Sequence, residues 1–520
     1  MFIEPNTNIR ILKNVPLDSG YKKTINFTSA SAQRDYFIGL TKHNLSNYTY
    51  QRVQKGVARV GINAEALYDC NYMMFQNASF GSKWFYAFIT GVEYVNNIVS
   101  EITFEIDDMQ TWHFDYTLKE CFVIREHSET DNIGDNLVPE NLEHGEYITD
   151  DFDGSGHIRD YKIVIAATVE EDGYNVTGGH YAGIYSGLYL NVFNSYQDAN
   201  AWIQTVTVKG KADGIVSVFM MPNDFITEIG EGAKQYTVSK TKQTTSIHGY
   251  VPKNKKLFTY PYNFLYVSNL DGNSAVFNYE DFSTDTCNFT MAGDFSCNPT
   301  IVLYPQNYKG AVANMDEKLS ISGFPQCSWN SDTYKAWIAQ TAVTTGVSTF
   351  GAIAGALAMT NPVTGSIALA TTAAGYMASH YQHAIMPNQA HGSGGSSSMV
   401  AMGIKDFAFM HKHIKKEFAQ RIDEYFNAYG YATNRIKIPN ISSRPHWNYV
   451  QTLDCTIVGS LPADAKKHIC SIYDKGITFW KSGANVGNYS LDNRPTTSPS
   501  ATNLEIEEKG IEDEVNVTNV

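Results

Sequence analysis

Residues 84–105 read WFYAFITGVEYVNNIVSEITFE. Aromatic and β-branched side chains recur with a period near two on both sides of Asn96-Asn97, a pattern that predicts two antiparallel strands joined by a tight turn. Such side chains suit a pleated, half-buried surface better than a helix. The same texture extends outward: residues 48–62 read as an earlier strand or pair. YKIVIAATV (161–169), YSGLYLNVF (185–193), GIVSVFMM (214–221) and LFTYPYNFLYV (257–267) read as later strands. The last of these turns through residues 270–273 into 275–279. The first 330 residues are therefore expected to be mainly β with a few short helices. No fixed-period repeat is visible, which argues against a propeller or solenoid.

A chain of 520 residues suggests about three or four domains. Charged residues make up 18% of the chain, while Tyr (33) and Phe (27) are abundant, so large cores can form and global disorder is excluded. With Lys+Arg 39 against Asp+Glu 53, the net charge is −14, which leaves no phosphate-neutralising excess for wrapping nucleic acid. Residues 101–160 hold 17 acidic side chains against Lys119, Arg125 and Arg159, so the whole excess falls in that stretch. Two readings stay open: a solvated acidic face, or a wall that repels polyanions. The candidates for such a wall are Glu101, Glu105, Asp107, Asp108, Asp115 and Glu120.

Residues 336–404 contain no Asp, Glu, Lys or Arg over 69 positions. Within them lie two weakly apolar arms, GVSTFGAIAGALAM (346–359) and SIALATTAAGYMAS (366–379), joined by the turn NPVTG (361–365). As a helix, an arm of 14 residues rises only ~21 Å against a ~30 Å hydrocarbon core. Extension back to Ile338 makes the first arm 22 residues long, enough to span. It carries Gly351-x-x-x-Gly355, a close-packing pattern for helices in lipid. The candidate membrane-active residues are Trp337, Ile338, Val347, Phe350, Gly351, Ile353, Gly355, Leu357, Met359, Pro362, Val363, Ile367, Leu369, Tyr376 and Met377. HGSGGSSS (391–398) follows as a flexible hinge. A buried hairpin, a constitutive anchor and a conditionally membrane-active loop all remain open, the anchor being the poorest fit because Ala, Thr, Ser and Gly are too polar.

Beyond the charge gap, Phe407, Met410, Ile414, Phe418, Ile422, Phe426 and Tyr429 recur at three- and four-residue steps and predict one amphipathic helix over residues 406–429. Residues 447–489 read as a β-rich piece, and 495–520 as an acidic tail. Seven widely spaced cysteines without CxxC suggest reduced thiols, and residues 1–10 show no secretory pattern, so synthesis in a cytoplasm is expected.

No catalytic motif stands out, so no enzymatic activity and no cofactor are expected. His411-x-His413, placed on the predicted helix, would point its rings to different faces. Asp151, Asp153 and Ser155 resemble the opening of a calcium loop, but Lys162 stands where a bidentate Glu is needed. A polar turn before the strand 161–169 is the simpler reading.

Several blocks carry a family resemblance: NIRILKNVPLDSGYKKTINFTS (8–29), YMMFQN (72–77), KWFYAFIT (83–90), FEIDDMQTWHFD (104–115), CFVIREH (121–127), YGYATNRIKIPN (429–440), WNYVQTLDC (447–455) and GITFWKSGANVGNYSLDN (476–493). In this order they resemble the tail knob (distal tail tube) proteins of φ29-like short-tailed phages of Gram-positive hosts. The resemblance implies a virion protein of the distal tail, assembled in the host bacterial cytoplasm as a homo-hexameric tube of β-barrel domains. Double-stranded DNA would pass through it, and it would join other tail components such as the collar, lower tube and tail tip. A hydrophobic loop would plug the tube, then leave it and open a path through the host cell membrane. The expected division is a tube domain at 1–135, divergent β-rich distal domains at 136–330, the hydrophobic loop at 331–404, a helix plus β segment completing the tube at 405–494, and the tail at 495–520. A receptor-binding or wall-degrading tip protein, or a purely structural tube component, remains the alternative.

Overall fold

The hairpin at 84–105 forms as its side chains require. Strands Trp84–Asn96 and Val99–Ile106 pair antiparallel, and Asn96 Oδ1 accepts the Ile98 N–H at 3.0 Å across the turn. The structure, a computed structural model, describes residues 6–48, 56–77, 81, 83–154, 161–169, 176–181, 184–222, 235–270, 272–294, 300–322, 326–328, 392–393 and 407–495. The chain divides into two units: Met1–Glu143, Pro252–Leu257 and Glu417–Val520 form the first, and His144–Val251 with Phe258–Lys416 the second.

The hairpin belongs to a six-stranded sheet of the first unit, in the order Thr41–Tyr48, Thr7–Lys13, Cys70–Asn77, Trp84–Asn96, Val99–Ile106, Val57–Val60. Both of its faces are covered. Tyr72 and Met74 join Leu12 and Phe88 in one core, whereas Met73 and Phe75 join Ile9, Ile11, Ala87 and Ile102 in another. Successive strand residues face opposite ways, so YMMF is apolar at every position because both sides are buried. A second sheet runs Lys23–Ile25, Ile477–Trp480, Trp447–Leu453, Cys121–Glu126, Tyr431–Lys437. Its Val450, Ile477 and Phe479 share the first core with Ile469, Ile472 and Tyr473 of the helix Ala463–Lys475. That helix is an addition to the β-rich piece expected at 447–489, whose strands are Trp447–Leu453, Ile457–Gly459 and Ile477–Trp480. Its buried Ala465, Ile469, Ile472 and Tyr473 make one apolar stripe, Pro462 stands at its N-cap, and Gly476 with φ 92° ends it.

Among the described residues the second unit has three sheets around one core. Val164 and Leu190 come from a six-stranded sheet, Leu265 and Phe409 from a four-stranded one, and Phe289, Ile301 and Leu303 from a five-stranded one. The strands expected at 161–169, 185–193 and 214–221 are Tyr161–Ala167, Ile184–Phe193 and Ile215–Pro222, paired in the six-stranded sheet. The run at 257–267 is a strand only from Asn263, because Lys255–Phe258 is a short 3-10 turn.

The helix expected over 406–429 is two elements. Ala408–Ile414 is a strand with neighbours on both edges, Tyr147–Gly154 and Asn263–Ser268, and the helix occupies Lys416–Tyr429. Phe409, His411 and His413 are buried at alternate positions. This period-two set, satisfied by backbone pairing on both sides, prevails over the helical stripe through Phe407, Met410 and Ile414. The calcium-loop reading is corrected as well: Asp151 and Asp153 lie within the strand Tyr147–Gly154, not in a turn, and Ser155 is outside the described residues.

Every candidate membrane-active residue from Trp337 to Met377 lies outside the described residues, as does the tail from residue 496. Among the described residues no helix is long and apolar enough to cross a membrane.

Candidate functional site

The six candidate wall carboxylates take different places in the first unit. Glu101 accepts from Arg59 Nε at 2.7 Å on the paired strand, Asp115 is paired with Lys83, and Asp108 Oδ2 lies 2.7 Å from His468 Nδ1. Glu105 and Glu120 are exposed. Asp107 leaves the set, since it is 1% exposed. It caps the short helix Asp108–Thr111 by accepting the Gln110 N–H at 3.1 Å and takes the Tyr72 hydroxyl at 2.8 Å. Burial pushes its carboxyl up to about 7, and those two hydrogen bonds oppose the shift.

Three further carboxylates of the acidic stretch are also interior groups. Glu126, at the end of the strand Cys121–Glu126, accepts the Asn440 N–H at 2.9 Å and pairs with Lys437. Asp131 accepts from the Tyr431 hydroxyl at 2.7 Å and the Lys255 N–H at 3.2 Å, and burial raises its pKa. Glu140 faces two cations, Arg125 and Lys256, the latter at 2.5 Å, and also accepts the Ala432 N–H at 3.1 Å. Burial, and then the Arg125 guanidinium, press the Lys256 pKa down to about 7.

Asp131 and Glu140 bind the segment Pro252–Leu257, which joins the first unit from the middle of the chain. Asp423, on the helix Lys416–Tyr429, accepts the Lys253 and Asn254 N–H groups at 2.8 and 2.9 Å. Gly430 ends that helix at φ +66°, where a Cβ would lie 2.2 Å from Glu126 O, and its carbonyl accepts from Arg125 Nη1 at 2.6 Å. Asp131 and Glu140 therefore help gather segments near residues 125, 255 and 430 into one unit. Only pairing across more than a hundred positions reveals this.

His127 adds a pH-sensitive element. Its Nδ1 accepts the Tyr449 N–H at 2.8 Å and its Nε2 donates to Asn427 O at 3.1 Å, so the ring is held neutral. Burial, and next Arg444, pull its pKa down to about 3. In the unfolded chain an ordinary imidazole takes a proton near ~6.5. Its depressed folded value means that stability is lost as pH falls below that point, at ~1.4 kcal/mol per pH unit. Between pH 7 and 4.5, urea unfolding of the His127→Gln variant is expected to lose about 2.5 kcal/mol less than the parent. Equal losses would remove His127 from the acid response.

In the second unit, Asp150, His248 and His413 bring three ligand atoms within 4.8 Å of one another. On a strand, residues two apart share a face, so the expectation that His411 and His413 diverge is corrected. His411 is nonetheless engaged by the Tyr279 hydroxyl through Nδ1, and His413 alone of the two joins the cluster.

Two family profiles match different parts of the chain. A family profile described as Bacillus phage phi29, tail knob protein gp9, C-terminal domain, matches residues 228–494, and one for the caudoviral major tail protein N-terminus matches residues 5–117. The sequence is 27% identical to the tail knob protein gp9 of Bacillus phage phi29, covering 94% of this chain and 98% of that protein. For the tail knob protein gp9 of Bacillus phage B103 the identity is 25%, with the same coverage of both. The solved tail knob protein gp12 of bacteriophage C1 matches with a TM-score of 0.65 at 17% identity, covering 94% of this chain and 99% of that one.

Proposed function

The chain belongs to the family of the Bacillus phage phi29 tail knob protein gp9, and on that premise we propose that it works as a DNA conduit whose uncharged loop is a releasable plug. As a tail knob protein it is a structural component of the virion tail and associates with other tail components. In the proposed mechanism six copies close into a tube of β domains around a channel, assembled in the host cytoplasm and without catalytic activity. The exposed Glu105 and Glu120, with the paired Glu101, Asp108 and Asp115, face that channel. Their charge keeps passing DNA from binding to the wall.

The observation that carries the reading is the position of the charge gap. Residues 336–404 fall inside the span matched by the tail knob profile, 228–494, yet lack any charged side chain. In the closed tube, six such segments bury one another's apolar surface. Exposed at the tail tip, the same uncharged segments meet lipid without the cost of carrying a charge into it. A loop suited to both settings has two states, and contact with the cell shifts their balance.

Deleting residues 341–400 from the phage gene tests this directly. The expected result is particles with normal tails that attach but no longer deliver DNA, with plaque formation falling by several orders of magnitude. Particles that remain infectious would reduce the segment to packing material. Particles without tail knobs would make it an assembly element.

A further inference from the structure

Asp150 is the extra residue of a β-bulge. Thr149 is opposite Lys412 and Asp151 opposite His411, which leaves Asp150 without a place in the ladder between Tyr147–Gly154 and Ala408–Ile414. A bulge re-aims the side chain that it carries. Here the Asp150 carboxylate comes to His413, with Oδ2 2.5 Å from Nε2. His248 arrives from a different segment. Residues 247 and 250 exchange backbone hydrogen bonds at 2.8 and 2.9 Å, and His248 and Gly249 both have positive φ, 46° and 76°, which makes a type I′ turn with His248 at its tip. His248 Nδ1 lies 3.4 Å from Asp150 Oδ1.

His413 is oriented by a second contact. Its Nδ1 is 2.7 Å from Ile414 O, a carbonyl that can only accept, so a ring proton sits on Nδ1. Nε2 faces Asp150, with a lone pair for a metal ion in the neutral ring or a proton in the imidazolium. This nitrogen is buried, on a side chain 5% exposed, and donates to or accepts from no hydrogen-bond partner. A carboxylate oxygen 2.5 Å from this nitrogen requires a positive charge between them, either a proton on an imidazolium or a metal ion. A second imidazole within reach of the same carboxylate is what separates a metal site from a simple ion pair.

We propose that Asp150, His248 and His413 bind a divalent transition-metal ion of the zinc type. Two imidazoles and one carboxylate suit zinc and its first-row neighbours, whereas calcium and magnesium favour all-oxygen shells. The Nδ1 contact to a backbone carbonyl is the outer hydrogen bond that orients metal-binding histidines and raises their basicity. Ligand atoms of a tetrahedral zinc ion lie about 3.3 Å apart. The observed spacings need only small side-chain rotations, which Asp150 and His248, 41% and 59% exposed, can make. That exposure leaves the remaining coordination positions open to water. The ion would tie the 247–250 turn to the central strand of the four-stranded sheet.

The test uses the full-length protein, stripped with chelator and titrated calorimetrically with zinc chloride. Binding of one zinc per chain at these residues is expected, with affinity at least tenfold weaker in His248→Ala and in Asp150→Asn. Both substitutions fall at exposed positions, so loss of folding does not confuse the result. Cobalt added in place of zinc is expected to give the visible absorption of a four- or five-coordinate ion, diminished in the same two variants. Absence of zinc binding, or zinc binding that both variants leave unchanged, would overturn the proposal and leave a plain Asp150–His413 ion pair. A preference for calcium or magnesium over zinc would overturn it as well.

Discussion

Replacing Glu140 by Ala is expected to cost about 3–5 kcal/mol of stability, because it leaves the buried Arg125, which cannot shed its proton, without its anion and drives Lys256 to its neutral form. The side chain of Glu140 is 3% exposed, that of Arg125 11%, and that of Lys256 4%. Removal of one member of such a group destabilises far more than the group contributes in total, since the stranded charges keep their desolvation penalty. Glu140→Gln retains the shape but not the charge and is expected to fall in the same range. The internal comparison is Glu101→Gln, which breaks the surface pair with Arg59, 60% exposed, and is expected to cost under ~1 kcal/mol. Urea unfolding of the three variants under one set of conditions is the measurement. A Glu140→Ala loss no larger than that of Glu101→Gln would mean that water reaches Arg125 and Lys256. The pinning of Pro252–Leu257 to the first unit would then rest on Asp131 and Asp423 alone.

This result bears on what the sequence could reveal. Strands whose patterns are local were legible: the Asn96 turn and the alternation around it are read from neighbours in the chain. Residues 407–414 were not, because FAFMHKHI satisfies a helical stripe at Phe407, Met410 and Ile414 and a strand alternation at Phe409, His411 and His413 together. The decision came from strands that begin at Tyr147 and Asn263, more than a hundred residues upstream. The helix Ala463–Lys475 was accessible, since Pro462 and Gly476 bracket an apolar stripe, but the aromatic density on either side drew the reading towards β. The charge run at 101–160 misled for a different reason. Sequence counts carboxylates without saying which of them meet a distant cation, and Glu126 and Glu140 find theirs at Lys437 and Lys256. The basic cluster Lys253, Lys255 and Lys256 in an acidic chain was the available clue to that pairing. The Asp150–His248–His413 cluster had none, because it depends on a bulge and on the strand assignment of His413 together.

The largest functional effect is expected in membrane permeabilisation. Purified protein should release dye from liposomes across some part of a pH series, and a variant with residues 341–400 exchanged for a short Gly/Ser linker should not. The geometry of the segment sets the form of the response. As helices, arms of 14 residues would reach only ~21 Å, so the proposed hairpin alone would be short of a ~30 Å core. Only the arm extended to Ile338, 22 residues or ~33 Å, would cross it. Spanning therefore draws on residues next to the folded domain, and several copies must share the perturbed lipid. Release is accordingly expected to rise more steeply than linearly with protein concentration. A charge placed within the long arm, as in Ile353→Asp, adds about 2.5–3.5 kcal/mol to each crossing and should reduce release at least tenfold. The same substitution on a segment that merely fills the tube would disturb assembly and leave the liposomes as they were. Dye release that survives both the linker exchange and Ile353→Asp would assign membrane activity to the β units. Silence of the parent protein at every pH, with its tubes intact under the electron microscope, would leave a conduit and transfer penetration to another component of the tail.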